Sequence, residues 1–179
     1  MAPFLKYTYK VMVRVRKERE IKRPRITVIG EGLTERWYFE HLRTIKGYRY
    51  DCKPRFFAHQ SYEEMEKHID WVLQNGGIAV CICESMPSIE FWFLIHYMNT
   101  RKYFQDSDAV KRVLRRFIPE YDKTGSFLEK ISWVADMCAD NRLQDACKRA
   151  ALLGPSNESY SEIYRAIHLF SEANKEKEK

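Results

Sequence analysis

The residues best suited to chemistry cluster in two short stretches. The first is Gly30-Glu31-Gly32-Leu33-Thr34-Glu35. Glycines on both sides of Glu31 let the backbone turn and bring the carboxylate close to a ligand. A carboxylate at a strand end, facing a helix start, can hold Mg²⁺, which binds oxygen ligands and keeps several waters. Such an ion would bridge to a phosphate and orient or activate water. The same residues also have plain structural readings: Glu31 as a solvated turn residue, and Glu35 as a first-turn carboxylate complementing the helix dipole.

The second stretch runs Glu84-Ser85-Met86-Pro87-Ser88-Ile89-Glu90-Phe91-Trp92-Phe93-Leu94-Ile95-His96-Tyr97. Phe91, Trp92 and Phe93 read as core. Glu90 is costly to bury unpaired in so apolar a run, so it is either partnered for function or a charge at a helix N-terminus. His96 reads as a hydrogen-bonded core histidine sooner than as a ligand. The five cysteines are irregularly spaced and match neither a zinc pattern nor a disulfide framework. Cys81-Ile82-Cys83 reads as two thiols on one face of a buried strand.

These groups need elements to position them. Ile26-Thr27-Val28-Ile29 is a β-branched run, and an apolar stripe at Tyr38, Leu42 and Ile45 predicts a helix from Thr34 to Lys46, with Thr34 as N-cap. A strand is expected around Lys53 to Ala58. Ser61 with Glu64 forms a capping box opening a helix to about Gln74, closed by Asn75-Gly76-Gly77. Ile78 to Cys83, apolar throughout, reads as a central strand buried on both faces. From Ser88 onward the pattern is helical: Ser88 to Met98, Asp108 to Phe117, Ser126 to Ala150 and Tyr160 to Ala173. Strands alternating with helices argue for an α/β fold with a mainly parallel sheet and a helical C-terminal part. The organisation expected is a basic segment over 1–25, an α/β core over 26–100, and a helical region over 101–179 packed on that core.

The 179 residues carry a net charge of +6, which favours anionic partners and nucleic acid first. Arg14, Arg16, Lys22 and Arg23, in the basic segment before Pro24, are the candidate phosphate contacts. The longest apolar run, Ile89 to Met98, is too short to span a bilayer. No export signal is visible, so a cytoplasmic, membrane-free protein is expected.

Together the two stretches resemble the RloB-like proteins of bacterial anti-phage and restriction loci. Ile26 to Glu35 with Tyr38-Phe39 is similar to that family's strand, "EG" and "TE-x-x-YF" opening, and Ser85 to Tyr97 to its "SNP-x-FE-x-W-x-LLHF" signature. Tyr121-Asp122-Lys123 and Pro155-Ser156 echo its "Y-x-K" and late "PS" positions. The resemblance runs from about Arg25 to Phe170. It implies a Toprim-like fold, as in topoisomerases, primases and OLD-family nucleases, where a strand-end glutamate and a later Asp-x-Asp bind Mg²⁺ (or Mn²⁺) for phosphodiester chemistry. Glu31 matches the glutamate as metal ligand, with Glu35 and Glu90 as supporting catalytic carboxylates. An AAA/ABC-type ATPase partner is implied by resemblance alone. The departure is the acidic pair: Cys83 is followed at once by Glu84, and no aspartate lies between Trp71 and Met98. Two functions follow as expectations, a Mg²⁺-dependent nuclease-like effector in phage defence, or a catalytically degenerate relative that binds nucleic acid or an ATPase.

Overall fold

The structure, a computed structural model, describes residues 26–53, 61–74, 81–154 and 159–175. Arg14, Arg16, Lys22 and Arg23, the turn at 75–77 and the strand expected beyond Lys53 lie outside them.

The chain opens as a β–α–β unit. Strand β1 (Ile26–Ile29) leads into helix α1 (Leu33–Lys46), which returns the chain to β2 (Tyr50–Lys53). The two strands pair in parallel, Ile26 beside Tyr50 and Ile29 beside Lys53, and α1 is the crossover that parallel pairing requires. Gly32 takes the N-cap position that Thr34 was expected to fill; Thr34 is instead buried inside the first turn. Gly47, at φ 64°, closes the helix in the left-handed conformation that costs glycine nothing. Helix α2 (Tyr62–Gln74) opens with the expected capping box: the Glu64 amide donates to Ser61 Oγ at 3.3 Å, and the Ser61 amide to Glu64 Oε2 at 3.2 Å.

The expected central strand is corrected where it is described. Cys81 to Cys83 belong to no strand, Cys81 is exposed and Ile82 is 68% exposed. An apolar run short enough to be a strand carries no information about whether a neighbour is present to pair with it, and among the described residues no strand pairs with Cys81 to Cys83. Instead β3 (Ser85–Met86) follows directly and pairs antiparallel with β4 (Tyr160–Ser161). The described sheet is therefore two parallel strands plus a separate antiparallel pair, in a mixed α/β structure made mostly of helices.

A cis Met86–Pro87 peptide leads into helix α3 (Ile89–Tyr97), buried at every position from Ile89 to His96. A helix apolar all round must be enclosed, and α3 packs against α4 (Ser107–Leu114), α6 (Ser132–Cys138) and α7 (Arg142–Ala151). Helices α5 (Gly125–Leu128) and α6 pack on α1, and α8 (Ile163–Lys175) on α7. The single helix expected over Ser126 to Ala150 is broken, because Asp140 and Asn141 sit at φ 48° and 64°, a region that Asp and Asn tolerate better than most residues. One hydrophobic cluster runs from Tyr38 on α1 through Trp92 on α3 to Phe170 on α8. Among the described residues, no helix is long and apolar enough to cross a membrane.

Candidate acidic site at the strand end

The first motif is built by close approach. A Cβ added at Gly30 would stand 2.9 Å from Glu35 Cβ, and one at Gly32 would stand 3.1 Å from Glu35 Oε2. Glu35 thus folds back over the turn, into space that only glycines leave open. Gly32 itself has an ordinary extended backbone, φ −150°, so the motif needs glycine for room and not for a forbidden dihedral. Gly30→Ala is expected to cost about 1–3 kcal/mol, as overpacking does, because Glu35 Cβ is fixed to the helix and cannot swing aside. Gly32→Ala meets only the mobile carboxylate and should cost less. Urea midpoints of the two variants check the order; equal midpoints would refute the packing.

The second motif delivers Glu90 to the same place. Its side chain is 0% exposed, at the start of α3. The Tyr121 hydroxyl donates to Glu90 Oε1 at 3.0 Å and Lys123 Nζ lies 2.6 Å from the same oxygen. Ser88 Oγ and Glu90 Oε2 are buried with no well-formed hydrogen bond, although the hydroxyl stands close enough to help hold the carboxyl ionised. Burial, the largest single influence, pushes the Glu90 carboxyl up, but the Lys123 ammonium, the Ser88 hydroxyl and the Glu90 backbone amide together outweigh it and the group sits below its ordinary value. Burial likewise lifts the Glu35 carboxyl, opposed by its own backbone amide and Lys123 and reinforced by the charges of Glu90 and Glu31. The electrostatic couplings at Glu35 join Glu31, Glu35, Glu90 and Lys123 in one field. Two carboxylates are driven in opposite directions, the pattern that separates a proton carrier from a fixed charge.

Glu31 is exposed at the mouth of this cluster, and Lys123, 45% exposed, is the cation that faces solvent. For a Mg²⁺ ion, Glu31 can supply the single carboxylate that suffices when waters and phosphate fill the other positions, with Glu35 beside it. Glu90 is excluded as a direct ligand by its ion pair and burial. Among the described residues, no group of three or more His, Cys, Asp and Glu side chains is arranged around a common centre for an ion.

Carboxylate spacing alone does not point to Tyr121 or Lys123; the "Y-x-K" echo was the signal that could find them. His96 stands apart from the cluster, with Nδ1 donating to the Met137 carbonyl at 2.8 Å. Burial lowers its pKa to about 4, so it is a neutral core histidine. Cys81 and Cys83 bring their sulfurs to 3.8 Å on an irregular, partly exposed segment, and the expectation of two packed thiols in a buried strand is withdrawn there.

The family model described as RloB-like protein matches residues 51–169. That is well over half of the chain, and the chain belongs to this family. The matched stretch contains Ser88, Glu90, Tyr121 and Lys123, while Glu31 and Glu35 precede it. No match was found among the curated proteins or among the solved structures.

Proposed function

We propose, from membership of the RloB-like family as the premise, that the protein is a Toprim-type, metal-dependent nuclease-like effector cutting nucleic-acid phosphodiesters in phage defence. The observation that carries this reading is the convergence of Glu35 and Glu90, from two separate sequence motifs, on one solvent-facing lysine beside the strand-end Glu31. The reaction is attack of water on phosphorus with loss of the sugar oxygen. Glu31 would hold Mg²⁺ with Glu35 beside it, and the bound ion would polarise a phosphoryl oxygen and lower the pKa of a coordinated water. Lys123 contacts the phosphate oxygens, where negative charge grows as the bond breaks. Glu90, buried and ionised, holds Lys123 in place through their ion pair, and Tyr121 fixes Glu90. Glu35, lifted by burial, holds or passes the proton taken from water. An AAA/ABC-type ATPase belongs to the same proposal as partner.

A second reading is favoured by one specific feature. No acidic pair follows Cys83, and that segment is not a strand, so the chain suits a Toprim-like protein that binds nucleic acid or an ATPase without cutting. Mn²⁺ binding separates the two. Standing in for Mg²⁺ and read by its electron paramagnetic resonance signal, Mn²⁺ should bind the full chain. Glu31→Gln should lose roughly tenfold or more of that affinity, with unfolding unchanged. Equal binding by both proteins would remove the metal from Glu31.

A further inference from the structure

A cationic groove lies along α4 and the turn that follows it, away from the carboxylates. A groove of about 260 Å³ opens between the 102–105 segment and one face of this helix. Buried Phe104 and half-buried Ala109 and Val113 make its floor, and Lys102, Arg112 and Arg116 stand exposed around it with Tyr103, 62% exposed. Lys102 Nζ stands 5.5 Å over the Phe104 ring.

Charged helices usually lace their cations with carboxylates a turn away. Asp106 caps α4, accepting from the Ala109 amide at 2.7 Å, and Asp108 pairs with Lys111 and is also drawn by the charge of Arg112. None of Lys102, Arg112 and Arg116 has an ion pair among the described residues. Arg112 and Arg116 are one turn apart and repel each other, a cost that an anion between them would offset. The geometry points to a binding track for single-stranded nucleic acid, with phosphates on Lys102, Arg112 and Arg116 and a base stacked on Tyr103.

The dimensions favour a strand over a free nucleotide. The groove is smaller than the roughly 300–1,000 Å³ of pockets that enclose a compact ligand. Cations along a groove with an exposed aromatic ring are how proteins hold single strands without reading sequence. The position also suits the acidic site. Arg115, on the turn after α4, donates through Nε to the Tyr121 carbonyl at 3.1 Å, and Lys123 acts electrostatically on Asp108. The choice of ligand class rests on the nucleic-acid reading above; the groove itself does not.

The test is fluorescence anisotropy of labelled oligothymidylate and oligouridylate with the full chain, in EDTA so that no cleavage intervenes, across a salt series. Tyr103→Ala should weaken binding about 5- to 100-fold, and Tyr103→Phe should restore it, as stacking demands. Joint replacement of Arg112 and Arg116 by glutamine should lower the slope of log affinity against log salt by about 1.4, at about 0.7 for each lost phosphate contact. Unchanged affinity and slope in these variants, or no binding by the unaltered protein, would overturn the assignment. So would competition by adenosine monophosphate at concentrations matching the oligonucleotide. Binding that responds as described in a protein that never cleaves would leave the groove standing and remove the nuclease.

Discussion

Replacing Lys123 by methionine is expected to cost the fold about 2–3 kcal/mol at neutral pH, and progressively less as pH falls through the depressed folded pKa of Glu90. Breaking a buried ion pair costs about 3–5 kcal/mol, because one charge is left without compensation. Half-exposure of Lys123 discounts that figure, as solvent already screens part of the attraction. The pH dependence follows from Glu90. In the unaltered protein its folded pKa is depressed, so its contribution is present above the unfolded value of about 4.3. That contribution is lost as pH falls through the folded value. Without Lys123, burial is opposed only by the Ser88 hydroxyl and the Glu90 backbone amide, and the folded pKa moves up. Glu90 then contributes less stability at neutral pH than it does in the unaltered protein. Urea midpoints of the two proteins between about pH 3 and 7 should diverge toward neutrality. A constant difference would show that Lys123 does not hold the Glu90 charge.

The second large effect belongs to the joint between the two motif helices. The Trp92 indole, fully buried on α3, donates to the Tyr38 hydroxyl on α1 at 2.7 Å. Trp92→Ala should cost roughly 3–5 kcal/mol, lowering the melting temperature by about 6–20 °C at 2–4 °C per kcal/mol for a chain of this size. Trp92→Phe refills most of the ring but deprives the Tyr38 hydroxyl of its donor, and should cost about 1–3 kcal/mol. Since α1 carries Glu35 and α3 carries Glu90, Trp92→Phe should also loosen the register between those carboxylates. Calorimetric melting of both variants checks this; a Trp92→Ala protein melting within a degree of the original would contradict the packing.

What was legible in the sequence was local. Ile26–Ile29, the apolar stripe of α1 and the Ser61–Glu64 capping box each depend on neighbours a few residues away, and the structure has them. The all-apolar α3 was legible as buried because no other environment accepts such a helix. What was not legible depends on distant partners. Ile78 to Cys83 reads as a strand only if other strands flank it, and Cys81 to Cys83 find none among the described residues. The break at Asp140 and Asn141 is a backbone choice that their neighbours' helical periodicity conceals. In the candidate site, Glu31, Glu35 and Glu90 stood out as carboxylates in unusual surroundings. Lys123, the partner that keeps Glu90 ionised, lies 33 positions after it and looks like any surface lysine. Only the resemblance to the RloB-like "Y-x-K" pattern set it apart. The chain does bend at Glu31-Gly32 between β1 and α1, but the reason for glycine there is also the room that Gly30 and Gly32 leave for Glu35, a long-side-chain contact that the local pattern does not show.

The central claim is that this carboxylate–lysine cluster cuts phosphodiesters. Its most direct test is cleavage of single- and double-stranded DNA and RNA by the full chain with Mg²⁺ or Mn²⁺, beside a Glu31→Gln protein of equal melting temperature. The account predicts metal-dependent cleavage by the first, with a loss of at least about 100-fold in the second, as expected when a group that stabilises the transition state is removed. Undiminished cleavage by folded Glu31→Gln, or none by the unaltered protein with any of these substrates, would contradict it.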